Sequence, residues 1–220
     1  MGGVRLALLG APGVGKGTLA KMIKSECNVP HLSTGDMLRE AVSKGGKLGK
    51  DASEYMNAGK LVPDNVVIGI LREKVMECGE GFVLDGFPRT ERQAEALEGI
   101  LADKGVPLDM VLNFEAPVEV LIGRLSGRRQ CRDCGAIYHV KNIPPKKSGV
   151  CDACGGELYR RKDDRDEAIK VRLKAYEEET AGLIDYYRDK GILESIDAGQ
   201  QDPDVMFKRI AAILKPYLVN

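Results

Sequence analysis

The sequence predicts an α/β fold: a parallel sheet covered by helices on both faces. Three observations carry that expectation. Short apolar runs alternate with segments of helical periodicity along most of the 220 residues. The first run passes through a glycine-rich turn straight into a helix, which is one end of a strand–helix unit. The pattern breaks only once, between Gln130 and Tyr159, where cysteines, glycines and prolines replace it with short alternating pieces.

Taken in order, residues 4–9 (VRLALL) form a continuous apolar run and are expected to be a buried strand. Gly10 to Gly17 form the turn, and Thr18 to Cys27 a helix. His31 to Ser33 make a short second strand, followed by helical patterns at 36–43 and 47–58 that are split by Gly45-Gly46. Pro63-Asp64 opens another helix, with Val66, Val67, Ile70, Leu71 and Val75 at helical spacing. FVLD at 82–85 is a strand ending in a carboxylate. A helix at 90–102, a strand at 110–114 and a helix at 117–127 precede the break. Beyond it, one long charged helix is expected from Asp163 to about Lys190, then a strand at 192–196 and a helix at 205–214.

Composition narrows the function classes. Apolar residues make up 43%, enough for a sizeable core, and 33 basic residues balance 33 acidic ones. Zero net charge, no tryptophan and only four phenylalanines argue against a nucleic-acid binder held by a basic surface and stacking platforms. No apolar run approaches the roughly 20 residues of a membrane helix. The opening MGGVRLALLG is too short in apolar residues for a secretory leader, and Leu6 stands where a myristoylation signal has Ser or Thr. A cytoplasmic protein without membrane partners is expected. Four of the six cysteines, Cys131, Cys134, Cys151 and Cys154, stand as C-x2-C, sixteen residues, C-x2-C. In a cytosolic chain that spacing reads as a zinc site. Cys27 and Cys78 lie in helical apolar patterns and read as packing residues.

The loop GAPGVGKGT at 10–18 contains G-x4-G-K. Gly10, Gly13, Gly15 and Gly17 allow a tight turn whose N–H groups point inward, and the helix adds its positive end. Such a loop cradles a polyphosphate while Lys16 reaches the outer phosphates. Gly17 stands where the usual loop has the magnesium-binding Ser or Thr, and Thr18 comes one place later. A metal is then held more by water and by a distant carboxylate.

This loop, STGDMLR at 33–39 and DGFPRTERQ at 85–93, in that order, resemble the adenylate kinases. GRR at 127–129, RRKDD at 160–164 and the spacing to Arg172 continue the resemblance over nearly the whole chain, and the four cysteines resemble the family's long, zinc-bearing form. The resemblance implies a P-loop nucleoside monophosphate kinase fold: a five-stranded parallel sheet flanked by helices, with a helical monophosphate-binding insert and a small β-rich zinc lid. The core would comprise 1–32, 63–126 and 165–220, the insert 33–62 and the lid 127–164. The implied reaction is reversible: MgATP plus AMP gives two ADP. Magnesium would come with ATP, zinc would be structural, and a monomer that binds no nucleic acid is expected. A GTP:AMP phosphotransferase or a pyrimidine monophosphate kinase is the alternative within the class, and a zinc-ribbon nucleic-acid-binding ATPase the alternative outside it.

The resemblance also assigns residues. Gly13, Val14, Gly15, Lys16, Gly17 and Thr18 would hold the ATP phosphates. Arg124 and Arg128 would clamp the ATP side, with Arg128 also near the adenine; Tyr138 would add a nucleotide contact, and Gly199-Gln200 would form the adenine-contacting turn. Arg39 and Arg89 would clamp the AMP phosphate, and Arg161 and Arg172 would bridge donor and acceptor. Arginine suits these places because its fork holds phosphate oxygens in two directions. Thr34, the backbone from Lys60 through Leu61 to Val62, Gly86, Phe87, Pro88 and Gln93 would complete the AMP site, with Gln93 presenting both an acceptor and a donor to adenine. Asp85 is the candidate for magnesium, with a helix N-cap as its other reading. Asp163 and Asp164 would act near the reacting phosphates on lid closure, a plain N-cap remaining open for one of them. His31 reads as structural, and a catalytic histidine is unnecessary because the AMP phosphate is already an anionic nucleophile.

Overall fold

The three central strands of the main sheet are apolar on both sides, and the structure buries both. The computed structural model describes residues 3–199 and 202–218. The chain runs β1 (Arg5–Gly10), α1 (Lys16–Cys27), β2 (His31–Ser33), α2 (Thr34–Lys44), α3 (Gly46–Asn57), α4 (Asp64–Glu77), β3 (Phe82–Asp85), α5 (Glu91–Lys104), β4 (Met110–Glu115) and α6 (Val118–Gly127). The cysteine-bearing stretch holds β5 (Arg128–Cys131), β6 (Ile137–His139) and β7 (Leu158–Tyr159). A 3-10 turn (Lys162–Asp164), α7 (Asp166–Ala175), a π turn (Tyr176–Thr180), α8 (Gly182–Asp189), β8 (Leu193–Asp197) and α9 (Pro203–Leu218) follow.

The main sheet is parallel throughout, in the order β2-β3-β1-β4-β8. Alternation along each strand divides the core into two layers. Leu6, Leu8, Leu112 and Phe114 pack with Leu19 and Ile23 of α1 and Ile210 and Leu214 of α9. Ala7, Leu9, Phe82 and Leu84 pack with Leu71 of α4, Leu97 of α5 and Tyr187 of α8. Parallel strands sandwiched in this way need no polar face, which is why they read as unbroken apolar runs. Cys27 packs against the first layer and Cys78 against the second, and burial pushes both thiols up, Cys27 to about 11.

The small sheet is antiparallel, ordered β6-β5-β7, around Cys131, Tyr138, Cys151 and Leu158. The segment expected as one helix from Asp163 to Lys190 is instead a 3-10 turn, two α-helices and a π turn. Neither carboxylate of the 3-10 turn caps α7, whose N-cap position is Arg165 with no side-chain hydrogen bond. Asp85 is not a cap either, since Thr90 caps α5 through a bond from the Gln93 N–H. No helix among the described residues is long and apolar enough to cross a membrane.

Candidate active site

The carboxyl ends of β1, β3 and β4 meet where open α/β sheets place their ligands. Between β1 and α1, Gly10, Gly13 and Gly15 adopt positive φ values of 134°, 89° and 113°, which an L side chain would resist. No side chain caps α1, so its first-turn amides are left to an incoming anion. Lys16 folds back over the loop and donates to the carbonyls of Gly10 (2.5 Å) and Ala11 (3.1 Å). Burial, opposed by the charge of Asp85 and reinforced by nearby arginines, pulls its pKa down to about 7. Asp85 lies beside it, 3.3 Å from His31 Nε2. Burial pushes the Asp85 carboxyl up, but the His31 hydrogen bond and the charges of Lys16, His31 and Arg89 outweigh it and hold the group below its ordinary range.

A cleft of about 1040 Å³ opens over this loop, and Lys16, Arg39, Asp85, Arg89, Arg124, Arg128, Arg161 and Arg172 all line it. Gly13, Val14, Gly15, Gly17, Thr18 and Pro88 line it too. A smaller cavity shares Arg39, Leu61, Gly86, Arg89 and Arg172 with the cleft and adds Thr34, Lys60, Val62, Gln93 and Asp163. The arginines are held by neighbours. Arg124 donates to the carbonyls of Val14 (3.1 Å) and Gly199 (3.3 Å), tying α6 to the phosphate loop. Arg128 grips Asp164 with Nε and Nη2 (2.8 and 2.5 Å). Arg172 reaches Asp163 (3.0 Å) and Asp164 (3.3 Å), and Arg39 pairs with Asp36. Gly86 takes a φ of 81° under Arg89, and a Cβ there would stand 2.8 Å from the guanidinium. Burial lowers Arg161 and Arg172 to about 10; nearby arginines add to it, and the charges of Asp163 and Asp164 oppose it. Crowded, desolvated cations of one sign are an arrangement that a polyphosphate relieves.

A family model described as adenylate kinase matches residues 8–192. The adenylate kinase of Archaeoglobus fulgidus is 51% identical over 214 residues, covering 96% of this chain and 98% of the relative. The chain belongs to the adenylate kinase family. The adenylate kinase of Caldicellulosiruptor saccharolyticus is 53% identical over 201 residues (90% of this chain, 93% of the relative). That of Methanosarcina acetivorans is 50% identical over 216 residues, covering 97% of this chain and all of the relative.

Several residues near the cleft, or assigned to it from the sequence, have their side chains engaged elsewhere. Phe87 is wholly buried in the second core layer, so its side chain cannot touch a nucleotide, though Pro88 beside it can. Asp164 is also fully buried and lines neither cavity; its carboxylate serves Arg128 and Arg172. Tyr138 lines the cleft, but its hydroxyl is turned into the lid, 3.5 Å from Cys151 Sγ and accepting from the Asp152 N–H at 2.8 Å. Gln200 lies outside the described residues. His139 is spent on structure, with Nε2 on the Gly123 carbonyl and Nδ1 accepting from the N–H groups of Lys141 and Asn142.

The sulfurs of Cys131, Cys134, Cys151 and Cys154 lie within 4.8 Å of one another. Two pairs, Cys131–Cys154 and Cys134–Cys151, stand at 3.4 and 3.5 Å. Four thiolates about 2.3 Å from a tetrahedral zinc would be separated by about 3.8 Å, so this donor set fits such an ion. A hydrogen bond from Tyr138 is the main cause that draws the Cys151 thiol down to about 6, while, against a backbone hydrogen bond from Gly156, hydrogen bonds with Cys134 and Cys131 push Cys154 up to about 12, so the crowded thiols share protons.

Three partners escaped the sequence reading. Gln93 Nε2 donates to Asp64 Oδ1 at 2.6 Å. Thr180 Oγ1 donates to the carbonyl of Arg89 at 2.8 Å. Gln130 Oε1 accepts from Arg161 Nε at 2.5 Å. Asp64 had a local signal only as a helix start, and Thr180 lay inside a charged pattern that looked uniformly helical.

Proposed function

We infer that the protein catalyses the reversible transfer of a phosphoryl group from MgATP to AMP, giving two ADP. The observation that carries this reading is the convergence of Lys16 and six arginines from separate segments on one cleft. Phosphoryl transfer asks a protein for alignment and for positive charge around the moving group, and little else. An AMP phosphate oxygen bonds to the γ-phosphorus as the bond to the β–γ bridging oxygen breaks. The nucleophile is already ionised, so no residue need accept a proton.

In this reading Gly13 to Thr18 cradle the ATP phosphates, and Lys16 follows the transferred group. Arg124 and Arg128 serve the ATP side, Arg39 and Arg89 hold the AMP phosphate, and Arg161 and Arg172 span both. Asp85 would hold magnesium through water, and the ion bound with ATP would neutralise charge on the phosphate oxygens. Thr34, Gln93 and the backbone at 60–62 take the acceptor base and ribose. Cys131, Cys134, Cys151 and Cys154 hold a structural zinc. Residues 33–62 and 127–164 move as inserts on a core of 1–32, 63–126 and 165–220. The protein acts as a cytoplasmic monomer.

ADP formation against a panel of donors and acceptors tests this, with metal analysis of the same sample. AMP should exceed CMP and UMP in kcat/KM by at least about tenfold, the usual range for a polar base contact. Equal rates with the three acceptors would defeat the assignment of AMP.

A further inference from the structure

We infer that Asp64 is a positioning residue that sets the acceptor-base preference by fixing which way the Gln93 amide faces. The inference rests on the reading that Gln93 meets the acceptor base. Gln93 is 2% exposed, and both ends of its amide are engaged. Oε1 accepts from the Arg89 N–H at 2.8 Å, and Nε2 donates to Asp64 Oδ1 at 2.6 Å. The other Asp64 oxygen accepts from Thr90 Oγ1 at 3.2 Å, while Thr90 accepts from the Gln93 N–H. A backbone N–H only donates and a carboxylate only accepts, so the amide fits between them in one sense alone. The partners come from two directions: Arg89 from the loop before α5, Asp64 from the first residue of α4.

The pinned amide retains one lone pair on oxygen and one N–H on nitrogen, facing a cavity that Arg39, Arg89 and Arg172 also line. Adenine offers a donor at N6 beside an acceptor at N1. Hypoxanthine offers the reverse, an acceptor at O6 beside a donor at N1. A fixed amide sense therefore accepts one base and leaves the other with donor facing donor and acceptor facing acceptor. A Gln93 free to turn over would serve both. Asp64 thus contributes discrimination without touching the base.

The test compares kcat/KM for AMP and IMP, with ATP as donor, in the intact protein and in Asp64→Ala, Asp64→Asn, Gln93→Leu and the Asp64→Ala/Gln93→Leu pair. Asp64→Ala should lower the AMP-to-IMP ratio at least about tenfold, chiefly through the acceptor KM. Asp64→Asn should keep the ratio within about threefold of the parent, because its carbonyl accepts the same N–H. In the Gln93→Leu background, Asp64→Ala should change the ratio no further. The active fraction cancels in this ratio, so a fall in it is not a simple loss of folded enzyme. If Asp64→Ala does not fold, Asp64→Ser, which keeps a polar helix start but is too short to reach Gln93, takes its place. A ratio that falls in Gln93→Leu but stays unchanged in Asp64→Ala overturns the role of Asp64 alone. A ratio unchanged in Gln93→Leu overturns the reading of Gln93 itself, and this inference with it.

Discussion

Lys16 carries a charge that its burial disfavours, and that sets its behaviour with pH. Burial brings its pKa to about 7, against 10.5 in water. Bound polyphosphate favours the ammonium and raises the pKa again, so binding above pH 7 must take up a proton. ATP affinity should fall as pH rises from 7 to 9, by up to about tenfold per unit, the limit for one linked proton. Calorimetry at pH 8 in buffers of different ionisation enthalpy should find uptake approaching one proton per ATP; no uptake would mean that Lys16 is charged in the free protein. Lys16→Met should lower kcat/KM at least about 10²-fold, as loss of a charge-stabilising group typically does, and near-normal activity in a folded variant would remove it from the mechanism. The cations were legible because each sits in a short contiguous motif. Their supports were not: Asp64 lies 29 residues from Gln93, and Thr180 lies 91 from Arg89. Only the fold brings such pairs together.

At the scale of elements, the stretch from Lys162 to Asp189 shows what local pattern leaves open. Its charged, apolar-spaced sequence satisfies a single helix, yet the chain takes a π turn at Tyr176–Thr180. There it buries Thr180, whose hydroxyl meets the Arg89 carbonyl, a tertiary contact with no sequence signal. The lid shows the opposite case. Its spacing of cysteines was readable, because tetrahedral coordination by two C-x2-C pairs constrains sequence directly. Its buried apolar cluster is only Cys131, Tyr138, Cys151 and Leu158, a core too small to be held by burial alone, and on the proposed reading a bound metal would supply folding free energy. Cys131→Ser/Cys151→Ser protein should lose one tightly bound metal and unfold at a temperature lower by about 5 °C or more, given a loss of about 2 kcal/mol. Four cysteines would fill a tetrahedral shell and leave no place for phosphate, so the variant assayed well below that temperature with magnesium should keep much of its activity. Activity that follows zinc occupancy while the lid is folded would give the metal a chemical part.

For the whole molecule, zero net charge conceals a strongly cationic cleft. The parallel class of the sheet followed from alternating strands and helices, whereas the order β2-β3-β1-β4-β8 depends on how the helices cross, which no local pattern states. The cleft draws Arg39 and Gly59 from the stretch 33–62, Arg128 and Arg161 from 127–164, and Lys16 and Asp85 from the core between them. Lys21 of α1 donates to the Gly135 carbonyl across that cleft at 3.3 Å. If the stretches 33–62 and 127–164 move as proposed, the site is complete only when the three parts are together, and that would protect ATP: water reaching an open core would find too few cations to stabilise transfer. ATP hydrolysis without AMP should therefore run at least about 10²-fold slower than ADP formation with it. Closure itself can be read from probes at the exposed positions Asp51 and Lys147, attached by a chemistry that spares the lid thiols. Without nucleotide the distances should spread to longer values, and a bisubstrate dinucleotide should collapse them to one narrow population at the separation of this structure. Equal distributions with and without the dinucleotide, or ATP hydrolysis as fast as transfer, would show that the cations stand assembled at all times and that water is kept out by other means.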